Sequence, residues 1–450
     1  MSTSQALLGL LRAKSIAFIG GREAEEAIRQ CEKLDFRGDI WPVNAKRDKM
    51  EGHACYKHLE DLPHAPDAAF IAIPVRPTIE AVAFLSKMGA GGAVCYASGF
   101  KEVSGGDVLQ KELVRAAGDM PIIGPNCYGV LNYLEGAALW PDQHGGDKVE
   151  KGVAIITQSG NIGLNLSMQR RSLDIAYLIS LGNQAAIGIE QCLEALLGDD
   201  RVTAIGLHIE GLSDLAAFES AAKKAADAGI PIVALKAGRS EAAARIALSH
   251  TASLTGEDGL FDAFFKRLGI ARANSIPTFL ESLKVLSIIG PLQGNNIVSM
   301  SCSGGEASLI ADLSKDMPLE FTDFADDHKE DIRKTLNEYV SVSNPLDYHT
   351  FIWGDEERMT DCFTAVMKGP QDLTALILDF PRSDRCEPRD WFTACRTLVA
   401  ASQATGNNAA VIATLAECLD EEAGRYLAAN GVMPFYGMEE ALAAIEAAIS

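Results

Sequence analysis

His250 has the widest chemical reach of any side chain in this sequence. It sits within Gly238–Asp258 (GRSEAAARIALSHTASLTGED), a stretch rich in small residues that follows a strand-like run without being strand-like itself. Long insertions of that kind inside an α/β unit commonly carry function. An imidazole can attack a phosphoryl group at neutral pH, hold it as a phosphoramidate and release it to another acceptor. It then needs a partner on its other ring nitrogen. Glu210, closing the apolar run Val202–Glu210, is of the right type to hold the tautomer that leaves Nε2 free, although a strand-end carboxylate can equally be a solvated turn residue. The other histidines, His53, His58, His64, His144, His208, His328 and His349, read as surface or packing residues.

Glycine and polar residues at the ends of other strand-like runs come next. In open parallel sheets, ligands bind at the carboxyl ends of strands, where backbone N–H groups point outward. Ser159-Gly160-Asn161 follows the run Gly152–Thr157 and opens an apolar helix, a place that favours an oxyanion or phosphoryl group. Ser159 equally reads as a plain helix cap. Ser303-Gly304-Gly305 follows Asn295–Ser301 in the same manner. Further strand ends are Gly20-Gly21, Pro74, Ser98-Gly99-Phe100 and Asn126, and a glycine there is a turn residue about as often as a ligand contact. Gly20-Gly21-Arg22 lacks the G-x-G-x-x-G fingerprint and an acidic residue at the end of the next strand, which disfavours a dinucleotide site. No P-loop is present, and the Ser159 turn does not meet the G-x-S-x-G elbow of serine hydrolases.

The elements that must position these residues alternate between short apolar runs and helical periodicity, the pattern of βα units around parallel sheets. Three groups emerge. The first holds Ser15–Gly20, Asp39–Val43, Ala69–Ile73, Gly92–Ala97 and Pro121–Ile123, with helical stretches such as Arg22–Leu34 and Pro77–Met88, and predicts a Rossmann-like domain over residues 1–145. The second, over 150–288, holds Gly152–Thr157, Asp174–Ser180, Val202–Glu210 and Ile230–Lys236. The third, over 292–450, holds Asn295–Ser301, Leu373–Asp379, Ala409–Ala413 and Val432–Pro434 and ends in the helix Met438–Ile449; its stretch Leu319–Met359 is irregular. The Ser-Gly turns that follow the first strand of the second and third groups hint at two copies of one domain type.

The chain has 450 residues, too many for one core, and its composition of 48% hydrophobic and 22% charged residues is that of an ordinary globular protein. A net charge of −21 without a basic patch argues against nucleic acid and anionic membrane as partners. Ten scattered cysteines without a Cys-x-x-Cys pair predict reduced, mostly buried thiols and no metal site. The absence of a signal-like start and of a spanning apolar segment makes the cytoplasm the expected location.

Read in order, the blocks GDIWPVNAKRDKMEG, ACYKHLEDLPHAPDAAFIAIP, YASGFKE, GPNCYGVLN, VAIITQSGNIG, YLISLGNQ, IGLHIEG, VALKAGRSEAA and SHTASLTG resemble the α-subunit pattern of the NDP-forming (ADP-forming) acyl-CoA synthetases, the superfamily that includes succinyl-CoA ligase. The resemblance implies a CoA-binding Rossmann-like domain, with Gly20, Gly21, Pro74, Ser98, Gly99, Phe100 and Asn126 at the CoA and thioester region, followed by two flavodoxin-like parallel-sheet domains. It implies that His250 is phosphorylated, that Glu210 holds its ring, and that Ser159, Gly160 and Asn161 hold the phosphoryl group. Ser303, Gly304 and Gly305 would face phosphate on the partner's side, a weaker match through SCSGGEAS and SNPLD. ATP or ADP and Mg would be bound mainly by a separate ATP-grasp β subunit, since nothing here resembles that module, in an α2β2 or similar hetero-oligomer. The implied reaction takes a carboxylic acid, CoA and ATP to acyl-CoA, ADP and phosphate through acyl-phosphate and phosphohistidine intermediates. The chain departs from the family in its first loop, GGREAEEA, in Thr251-Ala252-Ser253, and in Gly182-Asn183-Gln184-Ala185. The altered first loop keeps a second reading open, a CoA- or acyl-CoA-binding regulatory protein without turnover. A Rossmann-type dehydrogenase is a third reading, disfavoured by the missing fingerprint. No basic residue is clearly placed to meet a dicarboxylate.

Overall fold

Buried apolar strands alternating with amphipathic helices build three sheets rich in parallel pairs. The computed structural model describes residues 2–240, 242–243 and 258–449. It divides into two compact units, one of residues 1–169 with 174–272 and one of residues 170–173 with 273–450.

In the first unit, one sheet runs Asp39–Val43, Ser15–Gly20, Ala68–Ala72, Ala93–Cys95, Ile122–Ile123, all parallel. Ser15–Gly20 is buried along its whole length, as a strand covered on both faces must be. The helix Arg22–Lys33 buries Ala24, Ala27, Ile28 and Cys31, one stripe at i, i+3, i+4 and i+7. This is the expected Rossmann-like layer.

The second sheet of that unit runs Ala271–Ala273, Ile232–Lys236, Val202–Ile209, Gly152–Thr157, Ile175–Ser180, Gly129–Asn132, Ala137–Leu139. Its four central strands are parallel. The last two form a hairpin that adds antiparallel to Ile175–Ser180. These hairpin strands, four and three residues long, are too short for a period to register in the sequence. Their residues are nonetheless all buried, and they cover an edge that would otherwise offer open backbone groups.

The second unit holds a five-stranded parallel sheet ordered Leu346–Asp347, Ile297–Ser301, Leu373–Ile377, Ala409–Ala413, Met433–Tyr436. The helix Ile276–Ile288 belongs to this unit and packs on Met438–Ala448. The stretch that reads as irregular contains a polar, mostly exposed helix, Asp326–Arg333, and a strand of two residues, Leu346–Asp347. Both sheet groups after the Rossmann-like layer are flavodoxin-like, so the α/β class expected from the sequence holds throughout.

Candidate functional site

Two concavities of the first unit gather most of the strand-end residues. The larger is a groove of roughly 800 Å³ lined by Gly20, Gly21, Asn44, Lys46, His58 and Pro74, among others. Gly20 has φ +150°, and a Cβ there would meet the Ala72 carbonyl oxygen at 2.5 Å, so the close approach of the two strand ends requires glycine. Asn44 ties the groove together: its Nδ2 donates to the Gly20 oxygen at 2.6 Å, and its Oδ1 accepts the N–H groups of Lys46 at 2.9 Å and Arg47 at 3.1 Å. Gly21 caps the helix Arg22–Lys33 without a side-chain hydrogen bond. The helix start at Gly21 and the nearby Lys46 lend the groove positive character, while Glu60 and Glu80 line it as well.

The smaller cavity, about 330 Å³, brings together Ser98, Asn126, Ser159, Gly160, Asn161 and Glu210, with Tyr96, Tyr128, Gln158 and Asn183 as further walls. Ser159 caps the helix Gly160–Ser167 by accepting the Ile162 N–H at 3.4 Å. Behind it, the Thr157 hydroxyl lies 3.1 Å from both the N–H and the carbonyl oxygen of Ser159, and 3.0 Å from Nδ1 of His208. His208 is buried, and that burial, aided by the Lys236 charge, lowers its pKa to about 4, so the ring behind the turn is neutral at physiological pH. A Cβ at Gly160 would meet Cδ2 of Tyr128 at 2.2 Å, which lets the helix start come up against that ring.

A chain of polar contacts backs Asn126 and Asn183 of the cavity wall. Glu102 Oε1 accepts the N–H groups of Gly99 and, at 3.2 Å, Phe100, while Asn183 Nδ2 donates to Oε2. Asn126 in turn donates to Asn183 Oδ1 at 3.3 Å. Burial works against the Glu102 charge, but these donors outweigh it and hold the carboxyl below its usual range. Phe100 reaches this network through its backbone, whereas its ring is fully buried in the core of the first sheet.

Glu210 follows the last residue of the strand Val202–Ile209 and lines the same cavity. His250 lies outside the described residues. Ser303, Gly304 and Gly305 belong to the second unit, where Ser303 precedes the helix Gly304–Leu313 without a side-chain cap bond. Three carboxylates surround that turn. Asp347 Oδ2 is 3.2 Å from where a Gly304 Cβ would stand, and burial, then Asp379 and Asp347, raise Glu306 to about 7. Among the described residues, no group of three or more His, Cys, Asp or Glu side chains is arranged to hold a metal.

Gln158, Glu102, Asn183, Tyr96 and Tyr128 are missed when strand-end glycines guide the search. Gln158, Glu102, Tyr96 and Tyr128 each lie within two residues of a named strand-end turn, so scanning the polar and aromatic flanks of those turns would have found them, and Asn183 was marked only as a departure from the family pattern.

Comparison with known proteins bears on these cavities. Residues 14–133 match the model of a CoA binding domain, and residues 150–286 that of a succinyl-CoA ligase like flavodoxin domain. Over 422 residues the chain is 29% identical to subunit alpha of acetate–CoA ligase (ADP-forming) II of Pyrococcus furiosus, covering 92% of this chain and 90% of that subunit. The chain therefore carries a CoA-binding domain and a succinyl-CoA ligase-like flavodoxin domain, and its relatives include alpha subunits of ADP-forming acetate–CoA ligases. It is also 32% identical over 379 residues to a trans-feruloyl-CoA synthase of an unknown prokaryotic organism, covering 81% of this chain and 54% of that protein. The chain spans about half the length of several curated relatives that it matches. Its fold superposes on the Ca. Korarchaeum cryptofilum dinucleotide forming acetyl-coenzyme A synthetase 1, solved with phosphate and ADP, with a TM-score of 0.83 at 25% identity, covering 97% of this chain and 94% of that one. The groove residues and Ser98 and Asn126 fall in the CoA-binding match, and Ser159 and Glu210 in the ligase-like match.

Proposed function

We propose that this chain is the CoA-binding, histidine-phosphorylated subunit of an acid-thiol ligase that makes acyl-CoA from a carboxylic acid, CoA and ATP, releasing ADP and phosphate. One observation carries the reading: the strand ends of the CoA-binding match and the Ser159 helix start open into a single cavity with Glu210 on its wall. CoA would lie in the groove at Gly20, Gly21 and Pro74 and extend its thiol toward Ser98 and Asn126. Glu210 would orient the His250 imidazole, and the N–H groups at Ser159, Gly160 and Asn161 would hold the phosphoryl oxygens.

Three transfers follow. The His250 nitrogen attacks the γ-phosphorus of ATP and ADP leaves. The acid's carboxylate oxygen then attacks the same phosphorus as the P–N bond breaks, giving the acyl phosphate. The CoA thiolate attacks the acyl carbon, and phosphate leaves with the C–O bonding pair. The nucleotide and Mg would belong to a partner with an ATP-grasp module; the relative named as a subunit alpha supports the existence of a partner subunit. The acids in the relatives' names, acetate and ferulate, carry one carboxylate each. Among the described residues lining the cavity, no basic side chain stands to meet a second carboxylate. A monocarboxylic acid is therefore the proposed substrate class.

Incubating the chain with an ATP-grasp partner, Mg and ATP radiolabelled at the γ-phosphate tests this directly. The expected product is acid-labile, base-stable label on the chain that is discharged by acid plus CoA and absent from His250→Ala. Undiminished label on that variant would place the phosphoryl group elsewhere and end the proposal.

A further inference from the structure

Gln158 is 6% exposed and stands between the strand Gly152–Thr157 and the Ser159 turn. All three of its amide hydrogen bonds run to one peptide stretch. Its Oε1 accepts the N–H groups of Glu210 and, at 3.0 Å, Gly211, and its Nε2 donates to the Gly211 oxygen at 2.7 Å. From the opposite side, the buried Lys236 ammonium donates to the Glu210 oxygen at 3.0 Å and to the Ala237 oxygen. The ladder pairs with Gly152–Thr157 and Ile232–Lys236 end at His208 and Ile209. Past that point the two flanking strands grip the Glu210 peptide with side chains instead of backbone. A primary amide suits this place because it carries donor and acceptor in one plane. A glutamate would keep the acceptor contacts and lose the donor.

We propose that Gln158 is a positioning residue that couples the Ser159 turn to Glu210, holding the carboxylate at a set height above the cavity where the phosphoryl group is transferred. The proposal rests on the reading of Glu210 as the partner of His250. It predicts that Gln158→Met, which keeps the volume and removes all three hydrogen bonds, slows phosphorylation of the chain at least tenfold in the two-chain assay. KM for CoA, whose proposed contacts in the groove at Gly20, Gly21 and Pro74 lie away from Gln158, stays within about twofold. The acid limb of the phosphorylation pH profile moves to lower pH, because a carboxylate beside an imidazole raises its pKa and a displaced one no longer does so. Glu210→Gln moves that limb the same way. Gln158→Asn, which keeps an uncharged amide but draws it back by one methylene, moves rate and acid limb in the same direction as Gln158→Met and carries the test should the methionine variant fail to fold.

A wild-type rate in the substituted protein, or a slower rate with an unmoved acid limb, would show that Gln158 only satisfies buried peptide groups and would overturn the inference while leaving the ligase reading intact. Wild-type protein that never acquires label on His250, or Glu210→Gln with wild-type rate and profile, would remove the reading itself and this inference with it.

Discussion

Burial decides which imidazole is chemically quiet. His208 and His144 both titrate near pH 4, each chiefly because burial penalises the charged ring and secondly because a lysine, Lys236 or Lys33, stands nearby. In the unfolded chain such rings take up a proton near pH 6.5. The native state therefore has its full stability above that value and loses it as pH falls from about 6.5 to about 4, by up to 1.4 kcal/mol per pH unit for each ring. We expect urea midpoints to fall across that interval. His208→Gln should flatten the fall by about one proton's worth and leave the His144 share. Sequence marked Glu210 because a charge at the end of an apolar run stands out. Gln158 carried no such mark: an amide beside a Ser-Gly turn looks like any solvated polar residue until its three partners are known.

The helix Gly160–Ser167 meets the cavity at a point where an added methyl has no room. Tyr128 cannot simply swing away, because its ring packs on Trp140 with centroids 5.0 Å apart. Gly160→Ala should cost about 1 to 3 kcal/mol through overpacking and slow phosphorylation by shifting the Ser159 turn. In a Tyr128→Ala background the same substitution should cost little, so a double-mutant cycle on denaturation midpoints checks the contact. At this scale the parallel strands and their helices were legible from apolar runs and from the 3.6-residue stripe of Ala24, Ala27, Ile28 and Cys31. The hairpin Gly129–Leu139 was not, because strands of three or four residues show no period, and only the partner strand Ile175–Ser180 gives them a face.

Over the molecule as a whole, the helix Ile276–Ile288 shows why boundaries resist a linear reading. Its Glu281 and Lys284 are fully buried and paired at 2.8 Å, Arg171 reaches Glu281 at 2.9 Å, and Lys284 donates to the Arg171 oxygen at 2.6 Å. By sequence the helix follows the second group of strands, and the segment 170–173 lies inside it; by packing both belong to the second compact unit. Lys284→Met, which removes one partner of the buried group, should destabilise the protein by about 3 kcal/mol, and adding Glu281→Leu should not restore it, because Arg171 then loses its carboxylate, as denaturant midpoints will show. Sequence by itself determined the α/β class and the three groups of strands, because burial period is a local property of the chain, while the order of its motif blocks carried the family resemblance. Only the tertiary structure decided which strand ends share a cavity, which polar side chains grip Glu210, and which unit each helix joins. Those outcomes depend on contacts between residues tens to hundreds of positions apart, and no local pattern encodes them.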